Sequence, residues 1–298
     1  MKVLGIPYSG LDSATTRIRY HSFLKYLPEG FKAKEFKGKF NGDILYIQKK
    51  ADPETIEIAL KAQRKGMKVI YDLDDDFQDH PKKKREKMVA LADAVTTDVQ
   101  EWTVDLLRHA TGPVHVVPDC VDYDGHDGEH FSLCHIEQVV TFGNTESVTD
   151  AASYIDGLPY RVSYITNREM TKYRNAEFIE WDRRSFILQL QCQDICFLSH
   201  STKGKTKSNN RLLVCMKMGI PTIVSDAISY RRTLEAISHE WLIAHNQKEV
   251  EQIIERLKPD AVRLNVKYTF REAAKAYTPE ISAARLASVM KEVMNGKD

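Results

Sequence analysis

The stretch Lys207-Ser208-Asn209-Asn210-Arg211-Leu212-Leu213, followed after four residues by Met218-Gly219-Ile220-Pro221-Thr222-Ile223-Val224-Ser225-Asp226, decides how the rest of the chain is read. Polar residues give way to an apolar run at Leu212, and Ser208 or Asn209 stands where a helix N-cap belongs. Gly219 stops the helix, and 222–225 is a short apolar, β-branched run of the kind found in buried strands. Another such run, 195–199, precedes the loop 200–208. Strand, polar loop, helix and strand in that order form half of a parallel α/β unit. The free amides and positive dipole of a helix start, placed at the carboxyl end of a strand, hold anions, phosphate above all. Lys203, Lys205 and Lys207 add positive charge to that loop. The plainer reading is a solvated basic loop with an ordinary cap. Neither the P-loop spacing nor the glycines of the dinucleotide fingerprint occur here.

Working outward, strand and helix signals alternate through the whole chain. In the first half, strands are expected at 3–8, 43–48, 68–73, 94–97 and 114–118, with a further one at 31–36. Helices are expected at 13–27, 53–66 and 101–109; Pro53 opens the second at its favoured first position and Gly66 closes it. In the second half, strands are expected at 138–142, 161–165, 177–180, 195–199, 222–225 and 241–244. Helices are expected at 146–155, 183–191, 209–218, 230–237 and 248–257, and a helical tail at 271–295 breaks at Pro279. Two such blocks in succession predict an α/β protein of two doubly wound, Rossmann-like domains, 1–125 and 126–298. Asp, Gly and His crowd the join near residues 122–130. Ligands of such sheets gather at the carboxyl ends of the strands, and a cleft between two facing domains is a usual place for them.

At 298 residues the chain is long enough for two cores. Lys and Arg total 43 against 42 Asp and Glu, which excludes a generally basic nucleic-acid coat though not a local basic patch. The opening seven residues read as a buried strand rather than a secretory leader, and no apolar run approaches the roughly 20 residues of a membrane span. Five scattered cysteines without zinc-ligand spacing read as reduced thiols of a cytoplasmic protein. The histidines show no H-x-x-x-H spacing, and G-x-S-x-G is missing.

Three further constellations carry chemistry. Gly143-Asn144 ends the first strand of the second block, where a glycine admits a ligand close to the backbone or simply makes a tight turn. Tyr71-Asp72-Leu73-Asp74-Asp75-Asp76-Phe77 ends a strand of the first block. Asp72 or Asp74 reads as a base or sugar-hydroxyl acceptor, the cluster as a divalent-metal site, or all as caps paired with Lys82, Lys83, Lys84 and Arg85. Ser9-Gly10 after the first strand allows close approach of an acceptor, with Arg17 and Arg19 on the following helix. The stretch from Arg17 to Lys50 is rich in Lys and Arg, which is either a solvated face or a surface for a polyanion such as DNA.

These segments resemble glycosyltransferases of the two-Rossmann-domain GT-B class, group 1 type. Residues 194–198, 207–213 and 219–225 look like the nucleotide-sugar segment of that group. Gly66-Met67-Lys68-Val69-Ile70-Tyr71-Asp72-Leu73-Asp74-Asp75 is similar to a segment of its bacterial and phage members, and Val117-Pro118-Asp119-Cys120-Val121-Asp122 resembles the join between its domains. The resemblance implies transfer of a sugar from a nucleotide diphosphate sugar to an acceptor hydroxyl, without a required metal. Gly143, Asn144, Lys203, Lys205, Lys207, Ser208, Asn209 and Asn210 would hold the donor. Asp72 and Asp74 would serve catalysis, with Asp74 near a sugar-contacting histidine position of the group. Ser9, Gly10, Arg17 and Arg19 would face the acceptor. Thr206 and Val214 stand where many members carry two glutamates, which leaves ribose recognition open. The acceptor is a saccharide or lipid-linked glycan by the group's default; the alternatives are a hydroxymethylated pyrimidine in DNA, or a non-catalytic nucleotide-sugar-binding module.

Overall fold

The computed structural model describes residues 1–74, 82–123, 135–200 and 207–296. Its elements, in chain order, begin with β1 (Lys2–Ile6), a π-helical turn (Thr16–Ser22) running into α1 (Phe23–Lys25), β2 (Lys32–Glu35) and β3 (Ile44–Gln48). Then come α2 (Pro53–Arg64), β4 (Lys68–Asp72), α3 (Lys82–Leu91), β5 (Ala94–Thr97), α4 (Glu101–Leu107) and β6 (Val114–Val116). The second series is β7 (Gln138–Phe142), α5 (Thr145–Ile155), β8 (Arg161–Thr166), β9 (Glu177–Glu180), α6 (Phe186–Gln191) and β10 (Ile195–Leu198). It continues with α7 (Asn210–Met218), β11 (Thr222–Ser225), α8 (Ile228–Glu235), β12 (Ile243–Ala244), α9 (Gln247–Leu257), α10 (Asp260–Ala274) and α11 (Pro279–Asn295). Of the described residues, no helix is long and apolar enough to cross a membrane.

The strands form two six-stranded sheets, ordered β2-β1-β3-β4-β5-β6 and β12-β11-β10-β7-β8-β9, and every pairing is parallel. This is the doubly wound α/β architecture expected from the alternation. A parallel sheet must be covered on both faces, and the first sheet shows how its sequence arranges that. Leu45, Ile47, Val69, Tyr71 and Val95 point to one side, against Ile56, Ala59, Met88, Val89, Trp102 and Leu106. Their alternates Ile44, Tyr46, Ile70 and Ala94 point to the other, against Ile18, Phe23, Leu286, Val289, Met290 and Val293.

The chain divides into two compact units, Met1–Asp122 with Tyr277–Asp298, and Tyr123–Ala276. Read from sequence, the last helix falls in the C-terminal domain. Instead α11 lays its apolar stripe on the first sheet, and the returning chain is pinned where the Val121 amide donates to the Tyr277 carbonyl at 2.8 Å. An amphipathic helix is free to bury its stripe on any uncovered sheet face, and local sequence does not say which.

The expected helix at 13–27 forms, but with a π-helical turn in its middle. Five successive residues, Thr16 to Tyr20, are buried there. Arg17 and Arg19, two residues apart and so on opposite sides of the turn, both meet buried aspartates. Such turns recur at functional sites.

Candidate functional site

In an open parallel sheet the ligand crevice lies where successive crossovers depart in opposite directions, outside the carboxyl ends of the strands. The strand orders put that point between β1 and β3 in the first sheet and between β7 and β10 in the second.

At the second switch point the backbone ends on Gly143, after β7, and Ser199, after β10. Arg211, from the first turn of α7, spans the gap. Its guanidinium donates to the Phe142 carbonyl at 2.9 Å, to the Ser199 carbonyl at 2.5 Å and to His200 Nδ1 at 3.0 Å. Gly143 has φ 144°, and a Cβ there would lie 2.8 Å from an Arg211 terminal nitrogen, so glycine is needed for the arginine to sit as it does. Because Nδ1 of His200 accepts, its proton is on Nε2, which donates to the Ser208 carbonyl at 3.1 Å. The ring stacks on Tyr230, with centroids 4.4 Å apart. Burial, then the neighbouring Arg211 charge, hold His200 well below the usual histidine range and therefore neutral.

The expected donor residues divide into three groups. Lys207 and Ser208 stand beside this point, Lys207 Nζ lying 3.8 Å from Glu146 of α5. Asn144 and Asn209 have their side chains engaged within the protein: Asn144 caps α5 by accepting from the Ser147 amide at 2.9 Å, and Asn209 donates to Thr233 at 2.8 Å. The Ser208 hydroxyl accepts from the Asn210 amide at 3.1 Å, and the Asn209 side chain does not cap α7. Lys203 and Lys205 lie outside the described residues. Both helix starts at this switch point, α5 and α7, direct their first amides toward the carboxyl edge of the sheet.

At the first switch point the loop after β1 is fixed by β3. The Tyr8 amide donates to Gln48 Oε1 at 3.1 Å, and Gln48 Nε2 donates to the Thr15 carbonyl at 2.8 Å. Ser9 is tied to Thr16, hydroxyl to hydroxyl at 3.1 Å, and a Cβ on Gly10 would meet nothing within 4 Å. Lys49, next after β3, adopts φ 56°, a conformation that costs a lysine energy and marks sites under functional constraint. Its ammonium lies 2.9 Å from Asp74 Oδ1 and 5.3 Å from the centre of the Tyr8 ring.

Beneath this edge lies a network of buried charge. Arg19 is wholly buried and grips Asp72 with both arms, at 2.8 and 2.6 Å. It also donates to the Val117 carbonyl and to Asp119, each at 2.8 Å. Thr96 gives Asp72 a third hydrogen bond at 2.6 Å. Arg17 holds Asp122 at 2.6 Å and the Leu11 carbonyl at 2.8 Å. Neither arginine is presented to an acceptor; both sit under the loop they were expected to line, and Asp72 has both oxygens occupied. Asp74 takes a hydrogen bond from Thr15; although burial works against its charge, Lys49, Arg19 and Thr15 hold it below the usual carboxylate range. Asp75 and Asp76 lie outside the described residues, among which no three His, Cys, Asp or Glu are placed to hold a metal.

One carboxyl on this edge behaves differently, and no motif in the chain announces it. Asp98, just after β5, is 6% exposed. Its Oδ2 has no hydrogen-bond partner among the described residues, and Oδ1 has only a long contact of 3.4 Å from Thr97. Burial first, then the charges of Asp119 and Asp74, push it well above the usual carboxylate range, against the pull of Arg19. A buried carboxyl with a raised pKa at this edge is a candidate proton-transfer group, although buried charge networks such as that of Arg19 and Asp119 also shift carboxyls.

No family model matches the chain, and no curated protein matches it in sequence. Solved structures do match in shape. The E. coli trehalose-6-phosphate protein bound with UDP-2-fluoro glucose superposes with TM-score 0.67 at 8% identity, over 99% of this chain and 99% of that one. T4 phage BGT in complex with its UDP-glucose substrate superposes with TM-score 0.66 at 11% identity, over 99% of this chain and 100% of that one. This chain has the GT-B glycosyltransferase fold. The lipopolysaccharide outer core galactosyltransferase WaaB gives TM-score 0.63 at 11% identity, over 98% of this chain and 99% of that one. At such identities the GT-B fold is what is shared, and the chemistry of this chain has to be argued from its own residues.

Proposed function

We propose that the protein is a glycosyltransferase that takes a sugar from a nucleotide diphosphate sugar bound on the second unit and attaches it to an acceptor hydroxyl held on the first. The observation that carries this reading is the arrangement around Gly143: a side-chain-free turn, a fixed guanidinium, Lys207 and two helix starts share one carboxyl edge. A diphosphate leaving group gains negative charge as the sugar departs. Donors already in position lower the barrier to that step because they do not reorganise during it. Two matching solved structures contain UDP-sugar compounds at their own sites, which supports a uridine nucleotide as the first donor to try.

On the first unit, the ionised fraction of Asp98 accepts the acceptor's proton in this reading. A base works best when its pKa approaches the working pH, and burial moves Asp98 in that direction. Asp72 then serves as the anchor of Arg19, and Asp74 as the partner that keeps Lys49 in its left-handed turn. The engaged pairs around them leave the unpaired Asp98 oxygen as the better proton acceptor.

The acceptor is proposed as a saccharide hydroxyl. A DNA acceptor is the second reading, and the observation favouring it is the exposed lysines on and beyond edge strand β2: Lys32, Lys34, Lys37 and Lys39. Lysines on an edge strand also deter pairing with other sheets, which needs no DNA. Duplex binding that weakens steeply with salt would favour DNA.

Incubation with UDP-glucose and other nucleotide sugars, followed by mass spectrometry for released nucleoside diphosphate, tests the main reading. Turnover is expected from the native chain and a loss of donor affinity from Lys207→Ala. No release from any donor, together with no binding of UDP or GDP by calorimetry, would overturn it.

A further inference from the structure

The second unit contains a cavity of about 550 Å³ away from its switch point. α5 starts at the carboxyl edge of the sheet, at its Asn144 cap, and runs back toward the opposite edge, ending before β8 begins at Arg161. The cavity is lined by the later part of that helix, through Thr149, Asp150, Ser153 and Asp156, and by Lys172 and Arg174 of the segment between β8 and β9.

The walls are preformed. Tyr173 stacks on Tyr164, with centroids 4.4 Å apart, and donates its hydroxyl to the Val148 carbonyl at 2.7 Å. The Arg174 amide donates to Asp156 at 3.2 Å. The segment is therefore stitched to α5 on both sides of the opening, so little ordering is needed on binding.

The lining chemistry selects the occupant. Lys172 and Arg174 balance Asp150 and Asp156, so the cavity offers no net charge to attract an ion. The hydroxyls of Thr149 and Ser153 donate to carbonyls of their own helix, at 2.6 and 2.9 Å, which leaves their lone pairs for a ligand's hydroxyl hydrogens. Asp150 and Asp156 supply carboxylate oxygens as acceptors, and Lys172 and Arg174 supply charged donors. Closely spaced donors and acceptors of both kinds, at zero net charge, match vicinal hydroxyl groups. The volume falls within the range of small-ligand pockets.

We propose that this cavity is a carbohydrate-binding subsite, which holds one or two neutral sugar units of a glycan on the flank of the donor unit. Its lining shares no residue with the Gly143 turn, and it does not depend on the catalytic reading. Its role would be to retain a glycan chain on the protein.

Saturation-transfer NMR of the full chain with maltotriose and with chitotriose, each with saturating UDP present, tests the subsite. Saturation of sugar protons is expected to persist with UDP and to reflect binding at least tenfold weaker in Ser153→Trp, which places an indole in the cavity from an exposed helix position. Asp150→Ala should weaken it likewise, with the unfolding midpoint of both variants showing that they fold. No saturation of either trisaccharide, binding abolished by UDP, or binding unchanged in both variants would each overturn the subsite. UDP-glucose hydrolysis measured on the Ser153→Trp sample reports separately on the proposed reaction, since Ser153 is exposed on the later part of α5, whereas Asp150 lies within electrostatic reach of Lys207 and Arg211.

Discussion

Replacing Asp72 by Asn separates a structural carboxylate from a catalytic one. In the native protein Asp72 takes two hydrogen bonds from Arg19 and one from Thr96, in a site closed to solvent. The amide introduced by Asp72→Asn keeps the shape but removes the charge, and it turns one acceptor into a donor facing the guanidinium or Thr96. Arg19 keeps Asp119 as its remaining carboxylate. Breaking a buried ion pair from one side costs about 3–5 kcal/mol. For a unit of this size each kcal/mol shifts the midpoint by a few degrees, so the first unit should melt on the order of 10 °C lower. Differential scanning calorimetry would show this as a lower transition, with the second unit's transition in place. Turnover per folded molecule, measured well below the new transition, should fall less than tenfold. A variant that melts within about a degree of the native protein yet loses turnover a hundredfold would show that Asp72 acts on substrate and that the anchoring argument is wrong.

Other outcomes follow from the same geometry. Asp98→Asn should lower turnover by about 10²–10⁴ while folding normally, because the native carboxyl already resists ionisation; unchanged turnover would remove it from the mechanism. Asp98 also sets a pH dependence: above an unfolded pKa of about 3.9 the unfolded chain releases a proton that the folded chain retains, so stability falls as pH rises toward the folded value. Urea titrations should show that fall in the native protein and a weaker one in Asp98→Asn. His200 has the opposite sign, since its folded pKa is depressed: below about pH 6.5 the unfolded chain takes up a proton that the folded one refuses, so acid destabilises, and His200→Phe should flatten that limb of the same titration. Gly143→Ala puts a Cβ against Arg211 at a positive φ and should cost about 1–3 kcal/mol, with weaker UDP binding by calorimetry.

The strands were the most legible part of the chain. Residues 94–97, 138–142, 177–180 and 222–225 are strands over the expected spans, because short buried apolar runs bounded by polar residues have few other uses. Helix α3 was not expected: its sequence Lys-Lys-Lys-Arg-Glu-Lys-Met-Val-Ala-Leu has no stripe beyond Met88 and Val89, and it is held where those two reach the first core. α10 starts at Asp260, earlier than expected: its inward residues Arg263, Val266, Phe270 and Ala274 keep helical spacing, but the first is charged and the last is small, which hides the stripe. The position of Lys207 and Ser208 at the second switch point was legible because a strand–loop–helix pattern is local. Arg211 against Gly143 was not, since that contact joins segments far apart in sequence. Arg17 and Arg19 read as surface charges, and the aspartates that accept them inside, Asp122, Asp72 and Asp119, lie far off in sequence. Asp98 stands in a plain Thr-Thr-Asp; its chemistry is created by what surrounds it.

The return of α11 to the first sheet has a consequence for biosynthesis. Leu286, Val289, Met290 and Val293 cover a face formed by residues made more than 150 positions earlier, among them Val3, Ile44 and Ile70. While the ribosome is still producing the intervening unit, that face is covered only in part, by Ile18, Tyr20 and Phe23, and domains otherwise tend to complete themselves in the order they emerge. The first half should therefore remain protease-sensitive on stalled ribosomes until the final helix leaves the exit tunnel, which would make the amino-terminal unit the last to mature.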